Sequence, residues 1–290
     1  GVHSGDSTAV LPPFSINKKI INEIEQKSIQ LAKALNVKGL LNIQFAVKEG
    51  TLYILEANPR ASRTMPFVAK VTGNQIIKAG TLLMLGHSLD FVKKETDYLN
   101  GSTKKIAIKK AIFPWSRFPA EDTMLGPEMK ATGEVLGIGS NFGTALNKAY
   151  AAAGVLINKK QKGVFISLSD KEKPNFVEIA KNYSELGFKI YATEGTGAYL
   201  GEHNISSTIV GRADDKSPTS LTIIQENLVS LVINTPTFAN EYTDGWKIRR
   251  LSHETGVAVV SSVREAQAFM KAFSEQENTL DDMEAIQNVS

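Results

Sequence analysis

The chain has 290 residues, of which 42% are hydrophobic and 22% charged with the signs interspersed, and a formal net charge of +3. That is enough apolar material for two globular cores, and so small a basic excess gives no ground for a nucleic-acid partner. The absence of cysteine excludes a disulfide scaffold, thiol catalysis and thiolate-bound metal, and it is compatible with a cytoplasmic protein.

No apolar run approaches the roughly 20 residues that a membrane helix needs. The stretch Gly1 to Ser7 has neither the basic start nor the apolar core of a signal peptide, lacks a methionine, and reads as though continued from a longer chain. Residues 15–36 carry apolar groups at helical spacing, with Ser15 as the expected N-cap. Residues 39–47 and 51–57 are β-forming runs joined by Lys48-Glu49-Gly50, which predicts a hairpin ended by Pro59. Two short helices broken near Thr72-Gly73-Asn74 are expected over 64–87, and a strand over 105–113. Residues 116–143, rich in proline and glycine, read as loop and turn, and 144–153 as a helix ended by Gly154.

The polar run 158–163 is the expected boundary between domains 1–155 and 156–290. Beyond it, strands are expected at 164–168, 188–192, 207–210, 228–234 and 257–260. Helices are expected at 171–186, 197–202, 221–226 and 264–273, followed by an acidic tail. Such alternation predicts an open, mostly parallel sheet covered on both faces.

Two groups of residues carry chemistry. In the hairpin, the period of two puts Glu56 and Asn58 on one face of the second strand, together with Leu52 and Ile54, and Gln44 on the same side of the first. These hard oxygen donors suit Mg²⁺ or Mn²⁺ bridging to phosphates. Arg60 and Arg63 follow closely and can hold a carbamate, a carboxylate or a phosphate by paired donors. The second group is Thr193-Glu194-Gly195-Thr196-Gly197, between an expected strand and a helix, where backbone N–H groups and two hydroxyls can cradle an anion.

The phrases Ile43-Gln44-Phe45 and Leu55-Glu56-Ala57-Asn58-Pro59-Arg60 resemble the ATP-grasp family. Arg60 to Val68, Gly1 to Ser7 and Leu125 to Glu134 narrow the resemblance to the large subunit of carbamoyl phosphate synthetase, over essentially the whole chain. The resemblance implies a fold that is both α+β and α/β. A partial ATP-grasp domain with antiparallel strands would be followed by a mostly parallel methylglyoxal-synthase-like regulatory domain. Gly1, Val2, His3 and Ser4 would line the ATP pocket, with Gln44 and Glu56 also near ATP. Gln44, Glu56 and Asn58 would take the metal ions, and Arg60 and Arg63 would face the substrate. Only the second of the family's two catalytic halves is followed directly by a regulatory domain, so the implied step is phosphorylation of carbamate. A small glutaminase subunit would supply ammonia to the whole enzyme. This stretch alone is not expected to turn over ATP, because the family's phosphate-covering flap precedes it.

Ser167 to Lys171, Ala192 to Thr196, Val232 to Pro236 and Lys247 to Arg250 resemble the regulatory domain. By that resemblance Lys171, Thr193, Thr196 and Arg212, with Asn234 and Thr235 nearby, would hold the phosphate of a nucleotide effector such as UMP. The domain would also support oligomers. Arg249 and Arg250 are either structural or surface charge. The Gly-Gly-Asp loop of methylglyoxal synthase is replaced by Gly211-Arg212-Ala213-Asp214-Asp215, so Asp214 and Asp215 read as loop residues. Some family members bind ornithine at the domain junction. Asp6 is kept from that site, but Lys110 stands where those members carry a glutamate, and it would repel the ornithine cation.

Overall fold

The protein is described from a computed structural model, over residues 2–13, 15–98, 103–155, 162–216, 218–235 and 243–275. Gly1, most of the expected boundary and the acidic tail from 276 lie outside the described residues. The chain forms two compact units, one from residues 2–9 and 108–275 and the other from residues 10–107.

A short strand, β1 (Ala9–Leu11), comes first. In the unit of residues 10–107 it is followed by α1 (Lys18–Ala34). Asn17 caps this helix in place of Ser15, because its Oδ1 reaches the Ile20 N–H at 3.0 Å. Strands β2 (Asn42–Lys48) and β3 (Thr51–Asn58) form the expected antiparallel hairpin. Helices α2 (Thr64–Thr72) and α3 (Ile76–Met84) are separated at Gly73, whose φ of +70° closes α2 in the left-handed conformation that glycine adopts freely. A further helix, α4 (Leu89–Glu95), follows from the cap at Ser88, which accepts the Phe91 N–H. Phe67, Val71, Ala79 and Val92 are buried in this unit.

The other unit begins its sheets with β4 (Ile106–Ile112) and β5 (Gly133–Gly139), in the order β1-β4-β5. Strand β5 lies where the sequence reads as loop. Its glycines admit a helix at close range rather than making turns: a Cβ on Gly137 would stand 2.2 Å from the Ala145 carbonyl oxygen of α5 (Phe142–Ala152), and one on Gly139 2.6 Å from the Ala145 nitrogen.

Then come β6 (Gly163–Ser167), α6 (Lys173–Glu185), β7 (Lys189–Ala192), α7 (Glu194–Glu202) and β8 (Thr208–Ile209). They are followed by α8 (Ser220–Gln225), β9 (Leu231–Asn234), α9 (Asp244–Thr255), β10 (Ala258–Val260) and α10 (Val263–Ser274). The five strands form one parallel sheet in the order β10-β9-β6-β7-β8, as the alternation predicts. The chain runs outward from β6 in both directions, so the order reverses between β6 and β9. A crevice opens at the carboxyl ends of strands at such a point. The expected loop after β7 is already the first turn of α7.

Helix α9 has no counterpart among the expected elements. Two of its buried positions are Arg249 and Arg250, so no apolar stripe announces it. The expected domain boundary falls inside this unit because α5 packs on α10. The Tyr150 ring meets Phe269 edge-on at 4.7 Å, and its hydroxyl donates to Glu265 at 3.0 Å. Among the described residues no helix is long and apolar enough to cross a membrane.

Candidate functional site

The hairpin brings three expected residues together. Gln44 lies directly opposite Glu56 across the ladder, and Asn58 is two residues further along the same face. The Asn58 Nδ2 donates to Glu56 Oε1 at 2.9 Å, which orients the amide and leaves its oxygen, the other carboxylate oxygen and the Gln44 carbonyl as acceptors. The face assignment needs one correction. The register steps from Gln44↔Glu56 to Phe45↔Ile54, so Leu55 is a bulge residue. Leu52 and Ile54 therefore stand on the face opposite to Glu56. Arg60 and Arg63 are exposed just beyond β3, and Arg60 donates to the Ala61 carbonyl at 3.0 Å. Among the described residues no group of three or more His, Cys, Asp or Glu side chains could hold a metal, and what the hairpin offers an ion is Glu56 with the amide oxygens beside it. Such a set, hard and oxygen-only, fits Mg²⁺.

In the other unit, Val2, His3 and Ser4 enter a tight loop. The His3 N–H donates to the Gly126 carbonyl at 3.0 Å, and its Nδ1 accepts the Gly5 N–H at 3.0 Å. The free tautomer therefore carries its proton on Nε2. Asp6 is 2% exposed and accepts the backbone N–H groups of Lys130 and Ala131 at 2.8 and 2.9 Å. Both of its oxygens are thus engaged in holding the loop.

At the crevice between β6 and β9 lies a cavity of about 310 Å³, lined by Thr193, Arg212, Asn234 and Thr235 and also by Ser169 and Arg249. Four of the six expected effector residues meet there. Thr196 is buried behind it: its hydroxyl oxygen accepts the Leu168 N–H at 3.0 Å and the Thr193 hydroxyl at 3.1 Å. Thr235 Oγ1 likewise accepts the Ser169 N–H at 2.9 Å, so both hydroxyls shape the turn after β6. Lys171 is exposed and does not line the cavity. Lys173 approaches the loop instead, with its ammonium 2.6 Å from Asp170 and 3.6 Å from where a Cβ on Gly195 would sit. The start of α7 and the Arg212 guanidinium make the cavity a favourable place for an anion.

Asp214 is held by Lys247 at 2.7 Å, and Asp215 accepts the Arg212 N–H at 2.7 Å, in keeping with loop roles. Arg249 and Arg250 are only 2% and 7% exposed. Arg249 forms a two-pronged pair with Asp122 at 2.6 and 3.0 Å, and Arg250 donates to the carbonyls of Trp115 and Phe118 at 2.9 and 3.0 Å. They are structural, not surface charge. Asp122 carries no motif, and nothing in its sequence neighbourhood marks it.

A second cavity, of about 230 Å³, is lined by Lys110, Trp115, Tyr150, Arg250, His253 and Val257 among others. The Lys110 ammonium lies 4.7 Å above the Tyr150 ring and 5.9 Å from the Phe113 ring. Burial and the nearby charges of Lys110, Arg250 and Arg249 push the His253 imidazole down to about 4, so the ring is neutral near pH 7.

This combination defines a class: a hairpin carrying oxygen donors in one unit and, in the other, a parallel sheet with a polar crevice at the carboxyl ends of its strands. Residues 1–92 match the family described as "Carbamoyl-phosphate synthase L chain, ATP binding domain", and residues 175–261 match "MGS-like domain". The chain is 41% identical over 285 residues to the "Carbamoyl phosphate synthase large chain, C-terminal section" of Aquifex aeolicus, covering 94% of this chain and 53% of that one. It is 41% identical over 280 residues to the protein of the same name from Methanocaldococcus jannaschii, covering 94% and 45%. With the "Carbamoyl phosphate synthase large chain" of Archaeoglobus fulgidus it shares 44% identity over 274 residues, 94% of this chain and 25% of that one. The chain belongs to the carbamoyl phosphate synthase large-chain family and matches its C-terminal section. It spans about half the length of the two C-terminal sections and about a quarter of the full large chain.

Proposed function

We propose that the chain is the C-terminal part of a carbamoyl phosphate synthetase large subunit, a ligase that makes carbamoyl phosphate from bicarbonate, glutamine-derived ammonia and two ATP. Residues 1–155 form the end of the domain that phosphorylates carbamate, and residues 156–290 the allosteric domain. The observation that carries the reading is the pairing of Gln44 with Glu56 across the hairpin, with Asn58 hydrogen-bonded beside them. These three residues hold Mg²⁺ or Mn²⁺, which neutralises phosphate charge when bound. Arg60 and Arg63 orient the anionic acceptor, so that catalysis is positioning and charge stabilisation. The whole enzyme works with a small glutaminase subunit in the cytoplasm and serves pyrimidine synthesis, arginine synthesis or both.

The crevice between β6 and β9 takes a nucleotide such as UMP, with its phosphate between Thr193 and Arg212. Calorimetric titration tests this. Wild-type protein is expected to bind UMP saturably, and Thr193→Ala to bind at least about tenfold more weakly, the worth of one hydrogen bond to a charged group. Equal affinity in the two proteins would move the phosphate elsewhere.

Ornithine is expected not to bind. Its side-chain cation would meet Lys110 at the second cavity, and Asp6 is occupied by two backbone N–H groups. A saturable heat on titrating ornithine into this protein would refute that.

A further inference from the structure

Arg249 stands between the effector crevice and the amino-terminal loop and is bonded toward both. On the crevice side its Nη1 donates to Asn234 Oδ1 at 2.6 Å. Asn234 lines the cavity and is 4% exposed. With its oxygen taken by Arg249, the Asn234 amide keeps its Nδ2 donors for a ligand. On the other side the same guanidinium grips Asp122, Nε to Oδ1 at 3.0 Å and Nη2 to Oδ2 at 2.6 Å. Gly245 packs behind this pair: a Cβ there would stand 3.0 Å from Arg249 Nη1 and 3.3 Å from Asn234 Oδ1. The guanidinium is therefore closely confined.

Asp122 passes the hold onward. Its Oδ1 also accepts the Met124 N–H at 3.1 Å and so forms the turn that leads into residues 124–131. That segment fastens the amino-terminal loop at three points. Gly126 accepts the His3 N–H at 3.0 Å, and the Lys130 and Ala131 N–H groups close on Asp6 at 2.8 and 2.9 Å. The line from Asn234 to His3 consists of hydrogen bonds and one short turn, all within one compact unit.

We propose that Arg249 is a positioning residue that couples the effector crevice to the loop Val2–Asp6 through Asp122. This rests on the reading of the crevice as an effector site. An acceptor on the ligand, bound at Asn234 Nδ2, polarises the amide and strengthens its oxygen as an acceptor for Arg249. The tightened guanidinium holds Asp122 more firmly, and the turn then holds Asp6. Buried pairs of this kind transmit because they have few alternative arrangements. A coupling of this sort is reciprocal: occupancy of the amino-terminal loop alters affinity at the crevice by the same factor.

Amide hydrogen exchange at Lys130 and Ala131 is the readout, with Ala149 in α5 as an internal reference and binding followed separately by calorimetry. UMP is expected to slow exchange at Lys130 and Ala131 by about fivefold relative to Ala149. In Asp122→Asn, which leaves the crevice lining intact, UMP is expected to bind but to slow those amides less than about twofold. Bound UMP that leaves Lys130 and Ala131 unchanged in the wild type overturns the proposal, as does equal slowing in Asp122→Asn. If UMP fails to bind the wild type, the nucleotide reading falls and Asn234→Ala decides the coupling, as it also does if Asp122→Asn does not fold. Exchange at Lys130 and Ala131 made faster than in the wild type, relative to Ala149, supports it. Exchange left unchanged overturns it.

Discussion

Asp122→Ala is expected to destabilise the unit of residues 2–9 and 108–275 by about 3–5 kcal/mol, the cost of stranding a buried charge. The Arg249 side chain is 3% exposed and that of Asp122 13%, so the guanidinium is left with little solvent in place of the lost carboxylate. The substitution also removes the acceptor of the Met124 N–H. The loss comes mainly from the orphaned guanidinium and only in part from the net worth of the pair. A double change, Asp122→Leu with Arg249→Met, should therefore recover much of the stability, short of the Asn234 contact that Arg249 also makes. Urea unfolding of the two variants beside the wild type checks this. A loss below about 1 kcal/mol in Asp122→Ala would place the pair with ordinary surface bridges.

Acidification should unfold the same unit through His253. Its imidazole is pushed down to about 4 from an ordinary 6.5, first by burial and then by Lys110, Arg250 and Arg249. The folded protein thus binds fewer protons at this site than the unfolded chain between those two values. Stability is fully present above pH 6.5 and is lost as pH falls toward 4. The site should cost about 2 kcal/mol between pH 7 and pH 5. His253→Gln removes that part of the pH dependence while carboxylates titrate as before. Trp115 is a suitable reporter, because its ring centre is 6.2 Å from that of His253. Parallel pH profiles of urea midpoint for the wild type and His253→Gln would show that the ring is not held neutral by the fold.

Much of the architecture was legible because it is written in local spacing. The alternation of strands and helices after residue 162 predicts the parallel sheet, and the Lys48-Glu49-Gly50 turn predicts the hairpin. The period of two also places Gln44, Glu56 and Asn58 on one face, since that relation survives the bulge at Leu55. Ile54 did not survive it, because an inserted residue reverses every face that follows. Strand β5 was hidden by glycines that admit the helix immediately following it, and α9 by arginines in its buried face.

By itself, then, the sequence determined the order and kind of most elements, the oxygen-donor hairpin and the place of the threonine-bearing loop after β7. Only the tertiary structure decided which of those residues share a cavity. It put Thr196 behind the crevice as a bracket for the turn after β6, left Lys171 outside, and joined Arg249 to Asp122 across 127 residues of chain. The reason is physical. Local propensity depends on neighbours three or four residues away, whereas a buried charge is stable only beside its partner. That partner is named by the fold, not by any spacing along the chain.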